Sequence, residues 1–207
     1  MTENAADASF KQLKHPNPHI RNRAMIDIVE HQDETTVPRL MAALDAEDTV
    51  YRRAAVKTLG AVGADAVPAI VEALGSSDNV TVRGSCAKAL AQVALNYPNS
   101  PFPEVGLQGL KQSLNDPNPV VHIASAMALG EIGDAALEIL LETLQSTDNL
   151  ALAVSIVNAL ASVGGEQVGV VLGQLAEDDT VDDYVQQTAA SALSRLEMVK
   201  QYSRPRS

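Results

Sequence analysis

Residues 78–90 read Asp78-Asn-Val-Thr-Val-Arg-Gly-Ser-Cys-Ala-Lys-Ala-Leu90, a polar turn followed by a run that ends at a leucine. An apolar residue at the place of Leu90 recurs at intervals of 31, 31, 39 and 31 residues. A second series of leucines, each just before a polar turn, has intervals of 31, 30, 40, 30 and 31 residues. Two independent series share one period and one insertion, which predicts a repeat protein. The first series is Ile28, Leu59, Leu90, Leu129 and Leu160, and the second is Leu13, Leu44, Leu74, Leu114, Leu144 and Leu175.

Each period has the pattern of two helices. Pro38 and Pro68 suit the first turn of a helix, where the missing N–H of proline is not needed. The Asp, Asn and Ser side chains of the turns can accept hydrogen bonds from the first N–H groups of the next helix. Glycines follow as candidate helix ends at Gly60 and Gly130 and again at Gly63, Gly133 and Gly164.

The predicted fold is all-α, because no segment alternates with a period of two. One helix pair is too thin to bury its own apolar face, so we expect a solenoid of about six stacked helix pairs. It should form a single domain over residues 1–200, with a frayed tail at 201–207. The excess in the third interval is a proline-rich insertion at 96–104, either a tolerated loop or a binding element.

The second helix of each pair carries one apolar stripe. The residues eight, four and three positions before the aligned leucine are mostly apolar, and this spacing forms one face of a helix. Cys86 falls in a column of mostly small residues, so we expect it to pack in the core rather than react. Tyr51 is likewise expected to be a core aromatic before it is a catalytic acid.

The opposite face of the second helices carries a cationic and an apolar segment. Positions nine, six and two before the leucine are cationic in repeats two and three and apolar in repeats four and five. We predict a groove for an amphiphilic anion, although an ordinary solvated face with a patch for a partner helix gives the same pattern. The predicted groove residues are Arg53, Lys57, Gly84, Lys88, Val120, Ile123, Met127 and Asn158.

Charge and composition exclude several classes of function. The formal net charge is −11, and residues 112–194 contain 12 acidic and no basic side chains. An acidic chain with 3% aromatic residues is unsuited to nucleic acid, so we expect no such partner. The acidic stretch either solubilises an outer face or steers a basic surface of a partner.

One cysteine without a CxxC or His/Cys cluster gives no disulfide and no metal signature. No apolar run approaches the ~20 residues that span a membrane, and the N-terminus resembles no signal peptide. We therefore expect a cytoplasmic protein with no metal and no membrane span.

Several segments resemble a known family. The Val-Arg pair after an Asp turn and the Ala-Leu-Gly before the next helix are similar to the HEAT-like repeats of phycobilisome proteins. Residues 78–90, 115–125, 155–160 and 191–196, with the chain length, resemble the smaller, F-type subunit of the heterodimeric E/F-type (CpcE/CpcF-type) phycocyanobilin lyases of cyanobacteria. The resemblance covers nearly the whole chain.

The resemblance implies a lyase subunit that pairs with an E-type subunit. Together they would attach phycocyanobilin, as substrate and not as cofactor, through a thioether to a cysteine of the phycocyanin α subunit. Arg53, Lys57 and Lys88 could then pair the propionates, and His122 could assist a proton transfer. A sister type that also isomerises the bilin has a His-Cys dipeptide, whereas Cys86 follows Ser85 here, so no isomerase activity is expected.

The HEAT resemblance also gives one arginine column a structural role. In such repeats the arginine after the turn bonds turn carboxylates of adjacent repeats as a ladder. Here Arg21, Arg52 and Arg83 occupy this column, and His122 occupies it in the fourth repeat.

Two other functions stay open. One is a non-catalytic adaptor that binds phycobiliproteins, as the phycobilisome-degradation protein of the same family does, and the other is a general protein-interaction scaffold. The sequence contains no His-Glu-x-x-His, P-loop or Ser/His/Asp pattern, so the enzyme function rests on the resemblance.

Overall fold

The computed structural model describes the backbone of residues 5–202 and the side chains of residues 7–198. Within this range it contains α-helices and two 3₁₀ turns and no strand, which confirms the predicted all-α solenoid class with six helix pairs. The pairs are α1 (Ala5–Gln12) with α2 (Pro18–Glu30), α3 (Thr36–Ala43) with α4 (Thr49–Val62), α5 (Val67–Ser76) with α6 (Val80–Asn96), α7 (Glu104–Ser113) with α8 (Pro119–Ile132), α9 (Leu137–Ser146) with α10 (Leu150–Val163), and α11 (Gly165–Glu177) with α12 (Asp183–Tyr202).

The chain divides into two compact units, the first ending at Ser113 and the second beginning at Leu114. In the first unit α4 packs against both α2 and α6, and α7 packs against α5. In the second unit α10 packs against both α8 and α12. The second helices of successive pairs thus stack within each unit, as thin repeats require. The single domain over residues 1–200 stays a prediction. The backbone of α12 reaches Tyr202, and residues 203–207 of the expected tail lie outside the described residues.

The predicted apolar columns form the core. The leucine column of the second helices is buried throughout, and the column four residues earlier, which includes Cys86, is buried as well. Tyr51 is only half-buried, and the ammonium of Lys14 lies 4.6 Å from the centre of its ring. Burial raises the pKa of the Tyr51 hydroxyl. The core prediction is therefore confirmed at most positions, whereas Tyr51 is partly exposed to solvent.

The polar turns cap the second helices as predicted. The side chains of six turn residues accept hydrogen bonds from N–H groups in the first turn of the following helix. Asn79 also joins adjacent turns, because its Nδ2 donates to Asp45 Oδ1 at 2.6 Å. The six caps are Asn17, Asp48, Asn79, Asn118, Asn149 and Asp182.

Glycines serve two purposes, of which the sequence predicted one. Gly63, Gly133 and Gly164 end helices with φ values of 85°, 81° and 75°. The expectation that Gly60 and Gly130 also end helices is wrong, since both lie inside helices. A Cβ on Gly130 would lie 2.9 Å from the Cα of Ala159, so this glycine permits the close approach of α8 and α10.

The proline-rich insertion packs against the first unit. The hydroxyl of Tyr97 donates to the carbonyl of Ala61. Its ring covers Gly63, where a Cβ would come within 2.7 Å of the ring, and the ring of Phe102 covers Gly106 in the same way. A cavity of about 250 Å³ remains beneath the loop, lined by Val62, Ala64, Asp65, Val93, Tyr97, Ser100, Pro101, Phe102 and Pro103.

Two stretches, Thr49–Ser76 and Pro119–Ser146, pass a length and composition test for membrane spans, although none was expected. Each consists of two repeat helices joined by a 3₁₀ turn. About half of the most apolar part of each stretch is buried inside the protein, at 56% and 50%. Such burial is typical of core helices, which pass the same test.

Candidate functional site

An open cavity of about 320 Å³ lies between α2 and α4 in the first unit. Four of its lining residues occupy positions that the repeat pattern placed on the open face of the second helices, whereas Met25 belongs to the predicted core stripe. The two helices meet here because they are neighbours in the stack. The volume of the cavity is at the lower end of the range for small-molecule sites, about 300–1,000 Å³. The lining residues are Leu13, Pro18, Arg21, Asn22, Met25, Val50, Arg53, Ala54 and Lys57.

Two cations of the cavity have no partner among the residues that the structure describes. Arg53 and Lys57 lie four residues apart on α4, so they face the same side as a like-charge pair. Neither makes a hydrogen bond or an ion pair with any residue that the structure describes, and both are exposed. Such a pair destabilises a helix slightly unless an anion lies beside it. The cavity therefore offers two free cationic groups to an anionic ligand.

The third cation of the cavity is already engaged. Arg21 Nη1 donates to the carbonyls of His15 and Pro16, each at 2.7 Å. Between the cations, the cavity wall includes the apolar side chains of Leu13 and Met25, of which Leu13 is fully buried. Positive charge beside apolar carbon suits a carboxylate carried on an apolar body.

The other predicted cationic residues lie outside this cavity. Lys88 is exposed on α6, two helices along the stack from α2, and it does not line the cavity. Gly84 is buried in α6 between the exposed Thr81 and Lys88. The structure thus brings Arg53 and Lys57 together with Asn22 and Met25, which sequence reasoning did not select. Asn22 occupies the same repeat position as Arg53, and that equivalence was the available signal.

The predicted apolar residues lie in the second unit. Val120 and Met127 are 53% and 60% exposed on α8, and Ile123 between them is half-buried. Asn158 is exposed on α10, donates from Nδ2 to the carbonyl of Val154, and accepts from Arg195 Nη2 at 2.9 Å. Three adjacent apolar side chains on one helix form a surface suited to a partner or a ligand.

The arginine column bonds backbone carbonyls. Nη1 of Arg21, Arg52 and Arg83 each donates to the carbonyl six residues earlier, at 2.7, 2.6 and 2.9 Å. For Arg21 and Arg52 the expected carboxylates of adjacent repeats are not the partners among the described residues. The preceding turn supplies the acceptors instead, because its last carbonyls have no helical partner.

His122 completes the same column. Its Nδ1 lies 3.1 Å from the carbonyl of Asp116, again six residues earlier, and only 4% of the residue is exposed. Its Nε2 is buried without a hydrogen-bond partner among the residues that the structure describes. The contact between the His122 ring and the Asp116 carbonyl is therefore typical of a structural group that holds the preceding turn in place.

Cys86 is fully buried in α6. Burial raises the pKa of its thiol to about 12, so the thiolate is scarce at neutral pH. Within the described part of the chain, no three His, Cys, Asp or Glu side chains are close enough to hold a metal ion. The exposed cations and apolar carbon of the α2/α4 cavity can bind and orient a ligand by charge and shape.

Comparison with known proteins gives the family. The profile of the family described as HEAT repeats matches residues 6–94 and 107–194, and the gap at 95–106 contains the whole insertion at 96–104. The chain is 56% identical over 195 residues to the "Uncharacterized phycocyanin operon protein Z" of Pseudanabaena tenuis (strain PCC 7409), covering 94% of this chain and 96% of that protein. The chain belongs to this HEAT-repeat family.

Two further matches are to a second relative and to a solved structure. The chain is 32% identical over 178 residues to "Bilin biosynthesis protein CpeZ" of Synechococcus sp. (strain WH8020), covering 83% of this chain and 95% of that protein. A chain in the structure of the complex of CpcE and CpcF of phycocyanin lyase from Nostoc sp. PCC7120 matches with a TM-score of 0.50 and 21% identity. That match covers 75% of this chain and 97% of the other, and it shows a common fold.

Proposed function

We propose that this HEAT-repeat protein is one subunit of a two-subunit lyase that attaches a bilin to a phycobiliprotein in the cytoplasm. Two relatives carry names that refer to the phycocyanin operon and to bilin biosynthesis. The observation that carries the proposal is the pair of cations, Arg53 and Lys57, that line the α2/α4 cavity without a partner in the described part of the chain. In its specific form, the proposal names phycocyanobilin as the substrate, a cysteine of the phycocyanin α subunit as the acceptor and an E-type subunit as the partner.

A bilin fits the chemistry of the cavity. The pigment is an open tetrapyrrole with two propionates and an apolar rim. One propionate would bind Arg53 and Lys57, and the pyrrole that carries it would contact Met25 and the exposed Val50. Hydrogen bonds between an ionised donor and a carboxylate are about twice as strong as neutral ones. A cavity of about 320 Å³ accepts one end of such a ligand and leaves the reacting end accessible.

The proposed reaction is an addition. The S–H bond of the acceptor breaks as its sulfur forms a bond to the ethylidene carbon of the bilin, and the double bond opens. The pigment gains one proton for the one that the thiol loses, so the addition needs no oxidant or reductant. This chain would supply orientation, because holding two reactants in place lowers the entropic part of the barrier. Cys86 is buried, so the acceptor supplies the thiol. His122 is buried beside Asp116, which favours an acid from the partner subunit over the His122 ring.

The non-catalytic adaptor is the second candidate. It is favoured by the burial of both Cys86 and His122, which leaves binding groups but no exposed nucleophile or imidazole at the α2/α4 cavity. An adaptor would hold a pigment or a phycobiliprotein without forming the thioether. The two functions therefore share a binding site and differ in the covalent product.

Coexpression separates the two candidates. The chain is produced with an E-type subunit, the apo-phycocyanin α subunit and enzymes that make phycocyanobilin, and the α subunit is assayed for zinc-induced fluorescence on a denaturing gel. Adduct that requires both subunits supports the lyase. Pigment transfer to this chain without adduct, or binding to pigmented phycocyanin only, supports the adaptor.

A charge-matched control links the outcome to the cavity. Arg53→Ala and Lys57→Ala, made singly, should each lower the initial rate of adduct formation by about tenfold, since each removes one charge-assisted contact. Arg23→Ala removes an exposed cation of α2 that does not line the cavity and should keep the wild-type rate. Equal rates in all three variants would exclude the cavity as the bilin site.

A further inference from the structure

In the second unit, an apolar side chain is exposed at the start of each stacked second helix. Val120 in α8, Leu150 in α10 and Tyr184 in α12 are 53%, 44% and 59% exposed. All three lie in the first turn of their helix. Because α10 packs against both α8 and α12, the three side chains belong to three successive layers of the stack. Exposed apolar groups that recur at the same end of successive helices indicate an interaction surface.

Carboxylates flank this surface. The turns that precede the three helices contain Asp116, Asp148 and Asp182, and α12 adds Asp183 in its first turn. Asp116 and Asp182 accept backbone N–H groups and so have a local structural use. Asp148 and Asp183 are exposed and have no hydrogen bond or ion pair within the part of the chain that the structure describes. Residues 112–194 contain no Lys or Arg to neutralise them.

The first unit offers a contrast. Its turns also contain aspartates, but its second helices carry arginine and lysine, and α4 alone has Arg52, Arg53 and Lys57. A cationic partner is therefore attracted more strongly to the second unit than to the first. Opposite charge around an apolar centre is the usual arrangement of a specific protein interface, where charge raises the association rate and apolar contact slows dissociation.

We infer that this surface, which we call the acidic edge (Val120, Leu150, Tyr184, Asp148 and Asp183), is the docking surface for the second lyase subunit. The matching surface on that subunit carries Lys and Arg side chains around exposed apolar side chains. This inference rests on the proposed function, since it names the place where the two subunits meet. It assigns the interface to the second unit and leaves the α2/α4 cavity of the first unit free for the pigment.

The test measures binding of the purified E-type subunit to immobilised full-length protein. Asp148→Asn with Asp183→Asn should lower the association rate about tenfold at low salt and flatten its dependence on NaCl. Val120→Ser with Tyr184→Ser should instead raise the dissociation rate about tenfold. Glu138→Gln with Glu166→Gln is the control, because it removes two exposed charges of the same unit from α9 and α11.

Each outcome of this experiment either supports or overturns the assignment of the acidic edge. These rate changes in the acidic-edge variants, with the control unchanged and helix content kept in circular dichroism, support the inference. Wild-type rates in the edge variants overturn it while adduct formation continues to support the lyase. Absence of any complex with the wild-type chain overturns it as well. A wild-type chain that sediments alone as a dimer, and as a monomer after Val120→Ser with Tyr184→Ser, would assign the edge to self-association instead.

Discussion

Cys86 shows how packing removes reactivity from a side chain that could otherwise act in thioether chemistry. Its sulfur lies in the column that every repeat fills with a buried residue, and burial raises the pKa of the thiol to about 12. The thiol therefore stays protonated at neutral pH, and it serves the core as a small apolar group.

The raised pKa predicts a pH dependence of stability. The unfolded chain loses the thiol proton near 9.0, the ordinary value, and the folded chain keeps it to about 12. The stabilisation of the folded state by the protonated Cys86 thiol is thus fully present below pH 9. As pH rises above 9, the free energy of unfolding falls by about 1.4 kcal/mol for each pH unit up to 12. Urea unfolding of the wild type and Cys86→Ala should show free energies of unfolding that converge above pH 9. Parallel curves would contradict this explanation.

His122 is expected to stabilise its turn rather than to react. His122→Ala removes the hydrogen bond to the Asp116 carbonyl and should lower the free energy of unfolding by about 1–3 kcal/mol. Adduct formation per folded molecule should stay the same. His19→Ala, at an exposed position, is the control and should leave stability unchanged. A folded, stable His122→Ala protein with no adduct formation would instead assign the ring a chemical role.

The helices of the second unit depend on close approach at Gly130. A methyl group there would lie 2.9 Å from the Cα of Ala159, and backbone atoms of a packed helix cannot shift freely. Gly130→Ala should destabilise the protein by about 1–3 kcal/mol in denaturant unfolding. Gly75→Ala is the matched control, because Gly75 has open space around its Cα within α5. That change should be neutral or stabilising by up to about 1 kcal/mol. Equal destabilisation by both would contradict the packing explanation.

The period of the sequence predicted which residues share a face but not how near neighbouring helices come. The buried columns and the capping residues were predictable, since burial and capping select residue type at fixed spacing. The hydrogen-bond acceptors of Arg21 and Arg52 were not predictable, because every residue has a backbone carbonyl and the sequence does not show which one accepts. Gly130 was assigned to a helix end for a similar reason, since close approach and capping both select glycine. Lys88 was grouped with Arg53 because both lie on the open face of a second helix. The cavity, however, forms between α2 and α4, and Lys88 lies on α6.

Across the chain, charge separates two kinds of surface. Residues 1–111 contain 11 basic and 13 acidic side chains, and residues 112–194 contain none and 12. The unpartnered cations of the α2/α4 cavity belong to the first unit, and the acidic edge belongs to the second. Under the proposed function, the first unit binds the carboxylate of a pigment and the second unit binds a protein.

Titration of the purified chain with free phycocyanobilin, followed by the absorbance change of the pigment, tests the pigment site most directly. We predict saturable binding that weakens by about tenfold or more in Arg53→Ala with Lys57→Ala, and equally for the dimethyl ester of the pigment, because both changes remove the same charge-assisted contacts. Arg23→Ala should bind as the wild type does. Wild-type affinity of the double variant, or equal affinity for the ester and the free acid, would contradict the assignment of the α2/α4 cavity to the pigment.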